Sequence, residues 1–185
     1  MVKNDRWIKK MSFEHKMIEP FEEKQVKKGK ISFGTSSYGY DMRLSNEFMV
    51  INKELKKVVL DPKKVHEKLF KNIKTEDYIE IAPSSMVLGR TVEYFRIPKN
   101  ILAITFGKST YTRCGIFVNV TPFEPEWEGY VTVSVANTSS ISVRVYANEG
   151  IAQVLFLETK DICEVSYADR EGKYQKQKAI TSAKI

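Results

Sequence analysis

The chain has two cysteines and two histidines among its 185 residues, and this scarcity excludes much. It contains no C-x-x-C pair, no His-x-Glu and no Pro-Cys-x-x-Cys pattern. A zinc-activated water therefore has no ligand set, and structural zinc is excluded on the same ground. A disulfide is not expected in a cytosolic chain, so Cys114 and Cys163 are expected as buried, inert thiols. No apolar run approaches membrane-spanning length. The opening residues Met1-Val2-Lys3-Asn4-Asp5-Arg6-Trp7 lack the apolar stretch of a signal peptide. The expected location is the cytoplasm. Charge is not concentrated either. Lys and Arg total 30 against 23 Asp and Glu, a net +7, but the lysines cluster only modestly, at Lys27-Lys28, Lys56-Lys57 and Lys63-Lys64. These read as solvated surface, and no nucleic-acid partner is expected. There is no internal repeat and no second domain boundary. Residues 1–185 are expected to form one domain with a real core.

Helix signals are few. Residues 4–18 read as a helix capped by Asn4 or Asp5, with Trp7, Ile8, Met11 and His15 on one face. Pro20 stops it, and His15 reads as a packing or surface residue. Residues 21–30 are a polar loop. The glycines and hydroxyls of 34–39 make a tight turn that feeds a strand at Tyr40, Met42 and Leu44, continued over 48–51. Asp61-Pro62 turns the chain, and 63–72 form a short helix or an irregular loop carrying His66.

From residue 78 the period is two. Strands are expected at 78–82, at 86–96 with apolar positions Val87, Val92, Tyr94 and Phe95, at 101–106 and at 115–120. In 130–137, Val131, Val133 and Val135 share one face, with Thr132 and Ser134 on the other. Residues 141–146 repeat the pattern at Ile141, Val143 and Val145, and Asn148-Glu149-Gly150 is a hairpin-type turn before a strand at 151–158. Many short strands with turns about every ten residues imply an all-β sandwich, jelly roll or closed barrel.

The densest chemistry lies in Gly107-Lys108-Ser109-Thr110-Tyr111-Thr112-Arg113, which carries two cations and four hydroxyls. Such a set suits a polyanion with sugar or base edges attached. An apolar strand then leads to an acid- and proline-rich turn, Asn119-Val120-Thr121-Pro122-Phe123-Glu124-Pro125-Glu126-Trp127-Glu128-Gly129. The polar stretch 167–178 is either a disordered basic tail or a segment that folds over a bound anion.

These residues resemble the dCTP deaminase family of the wider dUTPase-like fold. The resemblance covers nearly the whole chain. It rests on Ser36-Ser37-Tyr38-Gly39-Tyr40-Asp41, on the 107–115 and 119–125 blocks, on Tyr146-Ala147-Asn148-Glu149-Gly150-Ile151-Ala152-Gln153, and on Gly172-Lys173-Tyr174-Gln175. It implies a distorted jelly-roll β-barrel with a short N-terminal helix and a C-terminal lid over residues 166–185. It also implies a homotrimer with active sites shared between subunits, dCTP, dUTP and dTTP as ligands, and magnesium carried by the triphosphate. By position, Lys108, Ser109, Thr110, Tyr111, Thr112 and Arg113 would hold phosphates and the reacting end of the base, with Ser109 also on the attacking water. Glu124 would lie near the deoxyribose hydroxyl. The backbone of Thr132 and Val133 would read the pyrimidine edge. Gln153, Tyr167, Lys173 and Gln177 would make phosphate and lid contacts.

One departure bears on the chemistry. Relatives carry a glutamate in the strand after the Trp-Glu-Gly turn, and the corresponding residue here is Ser134. Metal-free deamination at C4 of cytosine needs one group to pass protons among water, N3 and the leaving nitrogen. A serine hydroxyl is a poor base near neutral pH. Three readings stay open: a deaminase whose glutamate has been replaced, a relative that binds pyrimidine nucleotides without deaminating them, and a phosphohydrolase of the dUTPase kind using Glu124, Glu126 or Glu128. Ala179, where relatives often have glycine, alters how the lid turns.

Overall fold

The computed structural model describes residues 1–52, 54–55 and 58–184; the Lys56-Lys57 cluster lies outside them. Helix α1 (Asp5–His15) starts where the Asn4 side chain accepts the Trp7 N–H at 3.1 Å, with Asp5 in the first turn favouring the helix dipole. It ends earlier than residue 18 because Lys16 turns left-handed at φ 52° and returns its N–H to Met11 O. Ile8 is fully buried, Trp7 and Met11 pack against the core, and His15 is exposed.

The strands are β1 (Ile18–Glu19), β2 (Gly34–Ser36), β3 (Gly39–Ile51), β4 (Phe70–Lys74), β5 (Tyr78–Ile81), β6 (Ser85–Arg96), β7 (Ile101–Gly107), β8 (Ile116–Asn119), β9 (Glu128–Asn137), β10 (Val143–Tyr146) and β11 (Gly150–Glu158). A single turn of helix, α2 (Ser109–Thr112), joins β7 to β8. The main sheet runs β7-β11-β3-β6-β9-β8, with β1 on β6 and both β2 and β4 on β3; β10 and β5 form a separate pair. Its two ends, β7 and β8, come into contact and nearly close the barrel. The fold is the distorted jelly-roll barrel expected from the sequence. Tyr40, Met42, Leu44, Phe48, Phe95, Val133, Val135, Ile151, Val154 and Phe156 fill its interior.

β9 alternates as its sequence implies, with Val131, Val133 and Val135 inside and Thr132 and Ser134 on the outer face. β6 follows the expected inward set only at Val87 and Phe95. Its buried set is Val87, Gly89, Thr91, Glu93 and Phe95, while Val92 and Tyr94 face outward. The reason is polar. At the register break between Arg90 and Tyr94, Thr91 Oγ1 donates to Glu93 O and accepts Val131 N–H. Glu93 carries its carboxylate inward to Arg43.

Four further expectations are corrected. The 63–72 segment is a 3₁₀ turn (Glu67–Leu69) followed by β4, which pairs with β3. The Asn148 turn is not a hairpin, because β10 pairs with β5 whereas β11 pairs with β3 and β7; it is a corner between sheets, with Asn148 at φ 59°. Ile141 lies outside β10 and is exposed. Cys114 and Cys163 are both exposed, since each sits in a polar connection rather than on a core face.

Candidate functional site

A cavity of about 910 Å³ opens between the outer face of β9, the turn that leads into it and the tail, a size that suits a small ligand. β9 supplies Thr132 and Ser134, and the turn supplies Asn119, Phe123, Glu124 and Trp127. The tail adds Tyr167, Arg170, Lys173, Tyr174, Gln177 and Thr181. A second groove of about 1070 Å³, lined by Ile51, Ile73, Ile79 and Ile81 among others, holds none of the sequence-derived site residues.

The tail is packed, so the disordered reading falls. Trp127 Nε1 donates to Tyr174 O at 2.9 Å, Glu128 N to Gln175 Oε1 at 3.0 Å, and Lys176 N to Glu128 O at 2.9 Å. Gln177 pairs in parallel with Gly129, and Tyr130 N–H donates to Gln177 O at 2.9 Å. The tail thereby covers the stretch of β9 that β8 leaves unpaired, because β8 ends opposite Ser134. This satisfies an edge that would otherwise present open amides.

Successive residues of a strand send their amide groups to opposite edges. Tyr130 N–H faces the tail, and Val131 N–H faces Thr91 on β6. Thr132 therefore turns its backbone toward the open edge. Val133 turns its backbone toward β6, where it pairs with Gly89, and its side chain is fully buried. Of the two residues expected to read a ligand through their backbone, Thr132 presents its backbone on the cavity edge and Val133 does not.

Glu124 is the one carboxylate among the described lining residues, and its Oε2 is gripped by Arg170. Glu126 and Glu128 lie off the cavity, near Lys99 and near Arg96 and Lys176 respectively. Ser134 stands on the wall, two residues along from Thr132 on the same face. Lys173 also lines the cavity and donates to Lys184 O at 2.6 Å.

The 108–113 segment lines a different surface. Lys108 Nζ is 2.7 Å from Asp41 Oδ2 and 3.0 Å from Ser32 Oγ, with both ends of the ion pair largely buried. Much of its charge is already matched. Tyr111 is buried, and its hydroxyl accepts Tyr146 N–H at 2.8 Å. Burial pushes that phenol up. This corrects the expectation that Tyr111 touches a ligand: it braces α2 against β10. Thr112 Oγ1 donates to Lys108 O, and Arg113 Nη1 to Ser109 O at 2.9 Å. Ser109, Thr110, Thr112 and Arg113 are exposed. Gln153 Nε2 donates to Ser36 Oγ at 2.8 Å. One chain thus brings Glu124, Thr132, Ser134, Tyr167, Lys173 and Gln177 together, and leaves 108–113 and Gln153 outside their cavity.

No sequence signal pointed to Arg170, although it carries the Glu124 contact and lies over the Tyr167 ring at 5.2 Å. None pointed to Glu93 either, which has no exposed area. Arg43 reaches Glu93 through its backbone N–H at 2.9 Å and Nε at 2.7 Å, and Tyr40 OH lies at 3.3 Å. Burial pushes the Glu93 carboxyl up, and Arg43 pulls it partly back.

A dCTP deaminase-like family profile matches residues 2–159. The chain is 54% identical over 184 residues to a dCTP deaminase of Chloroflexus aggregans, covering 100% of this chain and 98% of that one. It is 56% identical over 186 residues to a dCTP deaminase of Helicobacter hepaticus, covering 100% and 98%. A crystal structure of 2'-deoxycytidine 5'-triphosphate deaminase from Agrobacterium tumefaciens shares the fold with a TM-score of 0.60 at 13% identity; the match covers 84% of this chain and 47% of that one.

Proposed function

Because this chain belongs to the dCTP deaminase-like family, we propose that it is a dCTP deaminase, converting dCTP and water to dUTP and ammonia for pyrimidine deoxynucleotide supply. The observation that carries the proposal is the cavity. The sugar-, base- and lid-facing candidates share it, in a chain 54% identical over its whole length to a dCTP deaminase.

Water adds to C4 and gives up a proton, N3 gains one, the C4–N bond breaks and ammonia leaves. The Ser134 hydroxyl is too weak a base for this relay. It holds the attacking water, and Glu124 passes the protons from the water to N3 and to the departing nitrogen. Lys173 receives phosphate oxygens.

A triphosphate brings more negative charge than Lys173 can offset, while Arg170 is already engaged by Glu124. The exposed Arg113 and the hydroxyls of Ser109, Thr110 and Thr112 lie outside this cavity. The proposal therefore includes a homotrimer in which 108–113 of one subunit completes the cavity of the next. Magnesium enters bound to the substrate's phosphates, a role that asks for no cage of protein carboxylates. The proposed setting is the cytoplasm, without nucleic acid or membrane as partner. No described helix is long and apolar enough to cross a membrane.

The test is incubation with dCTP and magnesium, following loss of cytosine absorbance and release of ammonia. Turnover that falls about 10²-fold or more in Glu124→Gln supports the assignment. No turnover by the native chain, with Ser134→Glu active, would overturn deamination by the native chain.

A further inference from the structure

Among the described residues lining the cavity, the tail contributes two cations, Arg170 and Lys173. They are held differently. Lys173 reaches a backbone oxygen, that of Lys184, whereas Arg170 grips Oε2 of Glu124, the residue assigned above to pass protons. The grip uses Nη2 alone of a guanidinium that carries five N–H donors, and the rest of the fork has no partner among the described residues. Arg170 is fixed at its base rather than at its tip. Ser166 is buried and exchanges hydrogen bonds with Asp169, Ser166 N–H to Oδ2 at 2.9 Å and Asp169 N–H to Oγ at 3.2 Å. Tyr167 is held at both ends: its N–H donates to Pro125 O at 3.0 Å, and its hydroxyl accepts Tyr174 N–H at 3.1 Å. A Cβ on Gly172 would come within 2.2 Å of the Tyr167 ring, so only glycine fits there. The Arg170 guanidinium lies over that fixed ring, 5.2 Å from its centre. Its tip is wet, with the side chains of Arg170 and Glu124 48% and 42% exposed. An ion pair this open is worth no more than about fivefold in an equilibrium.

We propose that Arg170 is a phosphate ligand held in reserve, which masks Glu124 in the free chain and releases it when a phosphate chain enters beside Lys173. A polyphosphate offers the guanidinium fork several anionic oxygens, against the single carboxylate oxygen it now holds. The exchange needs only the tip of the side chain to swing while the guanidinium stays on the Tyr167 ring. While Arg170 holds it, Oε2 of Glu124 is turned to the tail with an acceptor site filled. Released, it is free to take the proton of the attacking water, and this happens only once substrate is seated. Two tail cations still fall short of a triphosphate, so the proposed part of 108–113 stands. The inference rests on the dCTP reading above and deepens it: the phosphate chain is required for the proton transfer as well as for binding.

The test is calorimetric titration with inorganic tripolyphosphate, which carries neither sugar nor base, of the full-length native chain, Arg170→Ala, Glu124→Gln and the double variant. Arg170→Ala should weaken binding by about tenfold or more, the worth of a charge-assisted contact. Glu124→Gln should tighten it by about three- to fivefold, because Arg170 no longer has a partner to leave. In the Arg170→Ala background that gain should disappear. If Glu124→Gln tightens binding equally in both backgrounds, its charge only repels phosphate at a distance and the inference is overturned. Unchanged binding in Arg170→Ala overturns it too. Tryptophan emission of Arg170→Ala should match that of the native chain, since Trp127 bonds to the docked tail; a red shift would trace the lost affinity to an undocked tail and overturn the inference. The release is read in turnover. The native chain should deaminate deoxycytidine faster when tripolyphosphate is added, and Arg170→Ala should show no such rise; a rise in both, or in neither, overturns the masking. Absence of dCTP turnover by the native chain, with the binding cycle as expected, overturns the dCTP reading and leaves Arg170 a phosphate ligand.

Discussion

Glu93 shows how one buried charge can organise a strand that sequence pattern misreads. Its carboxylate has no exposed area and leans on Arg43, which is itself largely buried with Nη2 unpaired. Removing one partner of such a pair leaves an uncompensated charge. Arg43→Met should cost about 3–5 kcal/mol in urea denaturation. It should also add a pH slope. With the Arg43 guanidinium gone, burial is opposed only by backbone hydrogen bonds to Glu93 and raises its folded pKa further above the unfolded value. A raised folded value gives stability that is full below the unfolded pKa, about 4.3, and is lost as pH rises through the folded one. The variant should therefore weaken from pH 5 to pH 8 more steeply than the native chain. Ser134 is the complementary case, a small polar residue on the cavity wall. Ser134→Glu, introduced into Glu124→Gln, should restore about 10²-fold in kcat for dCTP in the absorbance assay, because it returns a carboxylate to the same wall.

Elements differed in how much of them could be read in advance. β9 was legible because Val131, Val133 and Val135 alternate cleanly with hydroxyl residues. α1 was legible from Asn4 and its apolar spacing. β6 was not, because its inward face carries Thr91 and Glu93 while Val92 and Tyr94 face out; Tyr94 packs edge-on to Tyr130 at 5.2 Å. Only a long-range partner, Arg43, makes that parity favourable. α2 escaped notice because a single helical turn has no period to detect. Composition left the tail open between disorder and a folded segment, because its contacts are mainly backbone and amide pairs with β9. Among the site residues, the cavity group was legible from motif order, whereas the loss of Lys108 to Asp41 and of Tyr111 to the interior depends on contacts remote in sequence. Since the tail covers Trp127 and donates Lys173 and Gln177 to the cavity, deleting residues 173–185 should shift tryptophan emission to the red. It should also lower dCTP affinity by at least about tenfold, the worth of one charge-assisted contact.

At the scale of the whole molecule, the separation of 108–113 from the cavity is the feature on which the proposed trimer rests. If sites are shared, Arg113→Ala and Lys173→Ala damage opposite halves of the same pocket. Chains carrying one variant each, refolded together in equal amounts, should recover about one quarter of native activity, because one interface in four joins two intact halves. No recovery on mixing would mean that each chain builds its own site. Sedimentation should show a mass three times that of the 21.3 kDa chain. The two exposed thiols turn this question into a measurement. Cys114 follows Arg113 at the end of α2, and Cys163 lies between β11 and the tail. Spin labels placed on them need no engineered attachment point, and pulsed dipolar spectroscopy would then read a set of distances within and between subunits that shortens or holds as nucleotide is added.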